Sequence, residues 1–363
     1  MKTLIDSQSE FDAIVPLFEQ FDVVGVDTEF VREKTYSAQL CLVQLGLGDQ
    51  QYCIDVLAIE DCQALADLLF NPSVLKVLHA ASQDLEVLFQ RFGQFVKPLF
   101  DTQLAAAFAG ADLQLGYAAL VHQVTGIELE KGHARTDWSR RPLSEDQLQY
   151  AAADVAYLRA LYEKTQADVE QLGRKGWFDD ESAQMTQLDW LDQDPALAYR
   201  KLNGSSLKVR DQHRLKRLAQ WRERVAQDRN IPRSWVLKDR ALYDLIALKP
   251  RSVDDILNAQ LLGRKSGPRF APKILSLLTQ DVTETTPVWT FREPLTRPQK
   301  ALVSQLMAEL RRIADSMPIA TALLGTRRDI EALVRDGHSD KLLSGWRKAV
   351  IGEPLLAQLE ANT

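Results

Sequence analysis

The stretch Val23-Val24-Gly25-Val26-Asp27-Thr28-Glu29-Phe30 places two carboxylates at the end of a short, Val-rich run. The apolar residues are typical of a strand that is buried on both faces of a sheet. Because residues i and i+2 of a strand point to the same face, the side chains of Asp27 and Glu29 are expected to project together, about 7 Å apart along the chain. The pair either lies in solvent where the strand ends or binds a hard divalent cation such as Mg²⁺ or Mn²⁺.

Length and composition indicate an ordinary globular protein. The 363 residues, 45% of them hydrophobic and 26% charged, are enough for two or three domains with cores of their own. The first ten residues are polar and no run reaches about 18 apolar residues, so we expect neither a secretory leader nor a membrane helix, and a cytoplasmic location. Cys41, Cys53 and Cys62 form no C-x-x-C pair and are expected to be buried thiols rather than a disulfide framework or a zinc site.

The formal net charge of −6 is unevenly distributed along the chain. Residues 1–195 carry −18, residues 196–284 carry +10 and residues 285–363 carry +2. An acidic part followed by a basic part favours a polyanionic partner that the basic part holds, although a basic surface can also serve solubility alone.

The first half of the chain alternates between strand and helix patterns. Strands are expected at residues 23–30, 40–45, 51–55 and 74–79, and helices at residues 6–20, 61–70 and 82–92. This alternation favours an α/β fold with a mixed sheet flanked by helices. Later segments are expected to be helical, including a long helix over residues 144–172 that begins at the capping box Ser144-Glu145-Asp146-Gln147.

The second half of the chain reads as two copies of a small all-helical domain. Arg224-Val225-Ala226 followed by Ala241-Leu242-Tyr243-Asp244 resembles Arg312-Ile313-Ala314 followed by Asp329-Ile330-Glu331-Ala332, at an offset of about 88 residues. Threonine and proline cluster between the copies, over residues 283–298. We therefore expect three domains, at residues 1–200, 205–285 and 295–363.

Two more acidic positions follow the first pair. Asp84 comes at the start of a helix after the strand that ends at His79, and Tyr150 and Asp154 are i and i+4 on one side of the long helix. Each position alone has a simpler explanation, since an aspartate in a first helical turn complements the helix dipole and a Tyr-Asp pair is commonly a surface pair. Together the acids form a candidate metal site.

The order of these motifs resembles the tyrosine-bearing branch of the DEDD 3′-to-5′ exonucleases, and most closely the ribonuclease D family. The resemblance rests on Asp27-Thr28-Glu29-Phe30, Leu40-Cys41-Leu42-Val43-Gln44, His79-Ala80-Ala81, Tyr150 with Asp154, and Asp137-Trp138-Ser139-Arg140-Arg141-Pro142-Leu143. It implies an RNase H-like exonuclease domain, followed by two helicase-and-RNase-D C-terminal (HRDC) domains. The second copy departs most from the family pattern.

The resemblance also implies a mechanism. Asp27, Glu29, Asp84 and Asp154 would hold two divalent cations, Mg²⁺ or Mn²⁺, for phosphodiester hydrolysis, and Tyr150 would orient the attacking water. Nucleoside 5′-monophosphates would leave from the 3′ end of RNA, with tRNA precursors as the leading substrate. No small organic cofactor or membrane is implied, and a monomer suffices.

Other polar residues are candidates for RNA contacts. His79 is either a hydrogen-bonded core histidine or a substrate contact, and the basic loop that carries Arg135, Arg140 and Arg141 either guides phosphates or is a solvated turn. Gln44 is expected to touch the terminal nucleotide. In the basic part, Arg210, Arg214 and Arg217 lie on one side of an amphipathic helix and are expected to bind phosphates.

Three other functions share features with this sequence. A 3′-to-5′ exodeoxyribonuclease in DNA repair would use the same site, since no residue can be identified that reads a 2′-hydroxyl. A non-catalytic RNA-binding scaffold is disfavoured because all five site residues are present. A helicase is excluded because Gly-x-x-x-x-Gly-Lys-Ser/Thr is absent from the chain.

Overall fold

The computed structural model describes residues 4–129, 132, 136–187 and 194–361. They form two compact units. The first, called the sheet unit, comprises residues 1–31, 40–190 and 295–363. The second, called the helical unit, comprises residues 32–39 and 191–294. Arg135 lies outside the described residues.

A six-stranded mixed sheet organises the sheet unit. Its strands are β1 (Leu4–Ile5), β2 (Val23–Val31), β3 (Gln39–Leu47), β4 (Gln50–Ile54), β5 (Leu75–Leu78) and β6 (Leu99–Asp101), in the spatial order β1-β4-β3-β2-β5-β6. The hairpin β3–β4 is antiparallel, whereas β2, β5 and β6 are parallel neighbours and β1 runs parallel to β4. The predicted α/β fold with a mixed sheet flanked by helices is confirmed.

The central strand β2 is buried because of its valines. Val24 and Val26 have no exposed surface, and Val23 pairs with Leu75 and Gly25 with Val77 of β5. A short run of β-branched residues between two covered faces is the environment that such residues prefer. The strand continues past its apolar run through Asp27 and Glu29, and both of these acids are half-buried.

The helices pack around this sheet. They are α1 (Gln8–Ile14), α2 (Gln63–Phe70), α3 (Ser82–Phe92), α4 (Thr102–Phe108), α5 (Tyr117–Thr125), α6 (Glu145–Ala156), α7 (Leu158–Gln171) and α8 (Lys175–Gln184). Helix α6 begins at Ser144 as predicted, since the Ser144 hydroxyl accepts the N–H of Gln147 and the Gln147 side chain accepts the N–H of Ser144. The prediction of one long helix over 144–172 is wrong, because the helix breaks at Tyr157.

The C-terminal helices belong to the sheet unit. They are α14 (Arg297–Ser316), α15 (Thr321–Leu324), α16 (Arg327–Asp336), α17 (Gly345–Arg347) and α18 (Glu353–Ala361). Their buried leucines share one hydrophobic cluster with Val77, Phe100 and Phe108 of the sheet and its helices. The indole rings of Trp177 and Trp346 stack at 4.7 Å, and the Arg174 guanidinium donates to the carbonyls of Phe108 and Pro318.

The helical unit has a core of its own. Its helices are α9 (Val209–Asp228), α10 (Arg233–Val236), α11 (Asp239–Leu248), α12 (Val253–Asn258) and α13 (Gly267–Thr279). Leu215 and Leu218 of α9 pack against Leu242 and Ile274, with polar residues on the outer side of the helix.

Residues 32–39 extend the helical unit. The Tyr36 hydroxyl donates to Glu223, and the Asn230 side chain accepts the N–H groups of Tyr36 and Ser37.

Within the described residues, no helix is both long enough and apolar enough to cross a membrane. Cys41, Cys53 and Cys62 are buried and none of them is in a disulfide.

Candidate metal centre

Three carboxylates from two elements meet at one point of the sheet unit. Asp27 and Glu29 lie on β2 and Asp154 lies on α6, and each offers an oxygen within 4.8 Å of the oxygens of the other two. The alternation of β2 points both of its acids to the same face, as predicted. Helix α6 reaches them because it packs directly on β2 and β4.

Asp84 stands beside this group rather than within it. It is buried in the first turn of α3, and its carboxylate accepts the Thr28 hydroxyl at 2.5 Å. Because Thr28 lies between Asp27 and Glu29, this hydrogen bond ties the start of α3 to the strand that carries both acids. Thr28 was not predicted to be a site residue, although its position between two carboxylates is a signal in the sequence.

The electrostatics of the cluster favour a cation. Burial raises the pKa of Asp27 well above its ordinary range, and the charges of Asp84, Asp154 and Glu29 raise it further. Burial also raises the pKa of Glu29 to about 9, of Asp84 to about 7 and of Asp154 to about 6. Four clustered carboxylates of this kind repel one another, and hard divalent cations bind such oxygens. The residues present therefore fit bound divalent cations.

Tyr150 completes the cluster from the same helix as Asp154. Its hydroxyl is hydrogen-bonded to the Asp154 carboxylate, which lowers the pKa of Asp154 against the effect of burial. Burial, followed by the charges of Asp154 and Glu29, raises the pKa of the Tyr150 phenol above its ordinary value of 10.0. The phenol is therefore protonated at neutral pH and can donate a hydrogen bond, but it is a poor base.

These groups line a cavity of about 220 Å³. Its lining residues are Asp27, Thr28, Glu29, His79, Tyr117, Tyr150, Asp154 and Leu158. Its walls thus bring together four of the five predicted catalytic residues, and Asp84 joins them through Thr28. Tyr117 was not singled out from the sequence, and no pattern around it marks it.

The chain is similar to known nucleases along nearly its whole length. The 3′-5′ exonuclease family matches residues 3–170, and the HRDC domain family matches residues 211–278. Ribonuclease D of Granulibacter bethesdensis is 36% identical over 362 residues, which cover 98% of this chain and 92% of that protein. Ribonuclease D of Nitrobacter hamburgensis is 36% identical over 98% of this chain and 94% of its own length. The chain belongs to the ribonuclease D family.

A solved structure agrees with this assignment. The crystal structure of Escherichia coli RNase D, described as an exoribonuclease involved in structured RNA processing, has a TM-score of 0.85 and 30% identity over 99% of both chains. The predicted family, fold and enzyme class, a 3′-to-5′ exoribonuclease, are confirmed. The HRDC match covers residues 211–278. The second HRDC domain, expected at residues 295–363, stays a prediction.

His79 is a hydrogen-bonded histidine at the cavity wall. Its Nε2 bonds the Leu115 carbonyl at 3.0 Å and its Nδ1 bonds the Thr102 hydroxyl at 2.9 Å. Since a carbonyl only accepts, Nε2 carries a proton, while the Thr102 hydroxyl beside Nδ1 also donates to the Leu78 carbonyl at 3.1 Å. Burial lowers the pKa of this imidazole, in agreement with a neutral ring. With both nitrogens used internally, the ring can meet a substrate only through its carbon edge or its face.

The side chain of Gln44 is buried, and the donors of Arg141 are directed at groups of the protein. Gln44 of β3 is fully buried, and neither atom of its side-chain amide has a hydrogen-bond partner within the described residues. The Arg141 guanidinium forms a two-point ion pair with Asp55 and donates to the carbonyls of Trp138 and Cys41. Its donors are thus directed at the protein. Arg140 is exposed, and Arg135 lies outside the described residues.

In the HRDC helix α9 the predicted arginines differ in their surroundings. Arg210 is exposed and lies 3.6 Å from Asp281, Arg214 pairs with Asp211 at 2.9 Å, and Arg217 donates to the carbonyls of Gln280 and Asp281. Lys208, Arg210, Arg214 and Lys249 line a cavity of about 480 Å³ in this unit, so these cations share one surface.

Proposed function

We propose that this ribonuclease D family member hydrolyses RNA from its 3′ end with two divalent cations, Mg²⁺ or Mn²⁺, held by Asp27, Glu29, Asp84 and Asp154. The proposal rests on the oxygens of Asp27, Glu29 and Asp154, which lie within 4.8 Å of one another. In addition, Asp84 accepts a hydrogen bond from Thr28, which lies on the same strand as Asp27 and Glu29. Asp27 is central, because the charges of all three other acids raise its pKa. Asp27 would therefore contribute most to holding the cations when they are bound.

The chain's own residues have two tasks in this proposal. When bound, the cations supply the positive charge that activates water and stabilises the leaving 3′ oxygen. The four acids hold that charge in place. The protonated Tyr150 phenol, fixed by its hydrogen bond to Asp154, orients the attacking water. The expected product is a nucleoside 5′-monophosphate, since the phosphate stays with the nucleotide that leaves.

The proposed substrate is RNA with an accessible 3′ end, with tRNA precursors as the leading case. Support comes from the relative in Escherichia coli, which is described as acting in structured RNA processing. It also comes from the basic HRDC surface formed by Lys208, Arg210, Arg214 and Lys249, which suits phosphates of any sequence. We further propose that the enzyme acts as a monomer in the cytoplasm, where its buried thiols stay reduced.

We propose three domains, at residues 1–200, 205–285 and 295–363, the last being a second HRDC-like domain. Its first three helices support this. Helices α9, α10 and α11 begin at 209, 233 and 239 and have 20, 4 and 10 residues. Helices α14, α15 and α16 begin at 297, 321 and 327 and have the same lengths. Because its leucines pack into the sheet unit, we assign this copy a supporting role rather than RNA binding.

The metal site is tested by thermal unfolding with and without Mn²⁺ or Mg²⁺. A cation that binds only the folded state raises the melting temperature. We expect this increase in the wild type and its loss in Asp27→Ala, while Asp12→Ala, which removes an acid from the exposed face of α1, keeps it. Equal stabilisation of the wild type and Asp27→Ala would contradict the assignment of Asp27.

A further inference from the structure

Helix α6 ends in an unusual way about two turns beyond Tyr150. In a continuous helix the N–H of residue 157 would bond the carbonyl of residue 153. Here the Tyr117 hydroxyl stands between them, donating to the Ala153 carbonyl at 3.0 Å and accepting the Tyr157 N–H at 3.1 Å. The Tyr157 N–H is also directed at the Val155 carbonyl. A side chain inserted into the hydrogen-bond ladder is a recognised cause of a helix break.

The break lies next to the metal centre. Asp154 directly follows Ala153, and Tyr117, Asp154 and Leu158 line the same cavity. The sheet leaves room for the junction at two glycines. A Cβ on Gly46 would lie 2.8 Å from the Val155 carbonyl, and a Cβ on Gly25 would lie 3.2 Å from the Leu158 side chain. Gly25 is two residues before Asp27 on β2, so the junction is pressed against the strand that carries the other acids.

Tyr117 is itself held firmly at the start of α5. Its ring meets the His79 ring edge to face, with centroids 5.6 Å apart. The Leu115 carbonyl, two residues before Tyr117, accepts hydrogen bonds from both His79 and Gln103. The hydroxyl therefore has a fixed position from which it can determine where the α6–α7 junction lies.

We propose that Tyr117 is a positioning residue for the metal centre: its hydroxyl holds the α6–α7 junction open, so that Asp154 and Tyr150 are aimed at Asp27 and Glu29. The inference rests on the proposed function, because its purpose is to place a cation ligand. Without the hydroxyl, the Ala153 carbonyl and the Tyr157 N–H are free to bond each other. The turn that carries Asp154 would then shift relative to β2.

The test compares Tyr117→Phe with the wild type and with Tyr162→Phe. Tyr162 lies on α7 with its ring against Phe100 and outside the cavity lining, so it controls for loss of a phenol hydroxyl on these helices. Mn²⁺ binding is measured by titration of the melting temperature, and amide hydrogen exchange is measured at Tyr157. For Tyr117→Phe we expect altered exchange at Tyr157, about 10-fold weaker Mn²⁺ binding and a lower kcat, with KM for RNA retained. Tyr162→Phe should match the wild type.

A second variant moves the junction without touching the hydroxyl. Gly46→Ala places a methyl group against the Val155 carbonyl and should weaken Mn²⁺ binding in the same way. This variant therefore tests the inference even if Tyr117→Phe does not fold. A folded Tyr117→Phe with unchanged Mn²⁺ binding and kcat would overturn the inference, as would a Gly46→Ala protein with unchanged Mn²⁺ binding. If the wild type itself gained no stability from Mn²⁺, the proposed function would fail, while exchange at Tyr157 would still test the junction.

Discussion

The acids of the candidate metal centre bind protons more tightly in the folded chain than in the unfolded one. Burial raises the pKa of Glu29 from its ordinary value of 4.5 to about 9, and that of Asp84 from 3.8 to about 7. Between the unfolded and folded values the native state holds more protons, so the stability of the metal-free protein falls as pH rises. Below about pH 4 these carboxylates do not lower the free energy of unfolding, because they are protonated in both states. The full decrease in stability is reached only above the raised pKa values.

Asp27→Asn should therefore stabilise the metal-free protein at alkaline pH. The substitution removes one charge from the centre of the cluster, so in chelator its melting temperature should exceed that of the wild type by a few degrees at about pH 8. The difference should shrink as the pH is lowered to about 4, and added Mn²⁺ should reverse the order of stability. Thermal unfolding across this pH range measures it. A wild type more stable than Asp27→Asn in chelator at high pH would contradict this reading of the cluster.

Tyr150→Phe should separate metal binding from catalysis. The phenol is protonated and donates to Asp154, so its loss removes an orienting group but none of the four acids. We expect kcat to fall about 100-fold with stabilisation by Mn²⁺ retained. Asp154→Asn is the matched comparison and should lose both. Steady-state kinetics and Mn²⁺ titration decide between them, and loss of Mn²⁺ binding in Tyr150→Phe would show that the phenol acts through the metal site.

Helix α6 carries two of the five proposed catalytic residues, and its start depends on the Ser144 capping box. Ser144→Ala removes the acceptor for the Gln147 N–H and should lower the free energy of unfolding by about 1 kcal/mol. Because Tyr117, Gly25 and Gly46 fix the other end of the helix, kcat should change little. Ser304→Ala, at an exposed site within α14, is the control and should be near neutral. Urea unfolding measures the change in stability. A large drop in kcat without loss of stability would contradict the expected effect of Ser144→Ala.

Local patterns predicted those features whose causes lie close in sequence. The period of two along β2 and the spacing of Tyr150 and Asp154 predicted which side chains share a face, and the capping box predicted where α6 begins. The break at Tyr157 could not be predicted, because the hydroxyl that causes it is 40 residues away. For the same reason the pairing of Arg141 with Asp55, 86 residues apart, has no local signal, and the sequence predicted only that the loop guides phosphates or is a solvated turn.

At the scale of the whole chain, the C-terminal helices are fastened to the nuclease fold by a buried ion pair. Arg347 lies 2.5 Å from Glu181 of α8, and neither side chain is more than 17% exposed. The Arg347 guanidinium pulls the pKa of Glu181 below its usual value against the effect of burial. The repeat in the sequence predicted these helices but not the surface they cover, since their contacts with Phe108 and Trp177 depend on residues far along the chain.

Glu181→Leu should cost about 3 kcal/mol of stability, because it leaves the buried Arg347 charge without its partner. The double variant Glu181→Leu with Arg347→Leu should recover part of the loss, since neither charge then remains buried. Urea unfolding of both variants measures the effect. A single variant as stable as the wild type would show that the ion pair contributes nothing to the attachment of these helices.

The central claim is that the chain shortens RNA from its 3′ end with metal held by the four acids. The most direct test is a time course on a 5′-labelled single-stranded RNA and the matching DNA, with Mg²⁺ or Mn²⁺, with chelator, and with Asp154→Asn. We predict an RNA ladder that shortens stepwise from the 3′ end with the cation and is absent with chelator and in the variant. Equal or faster loss of DNA would assign the site to DNA repair, and an intact RNA under every condition would contradict the account.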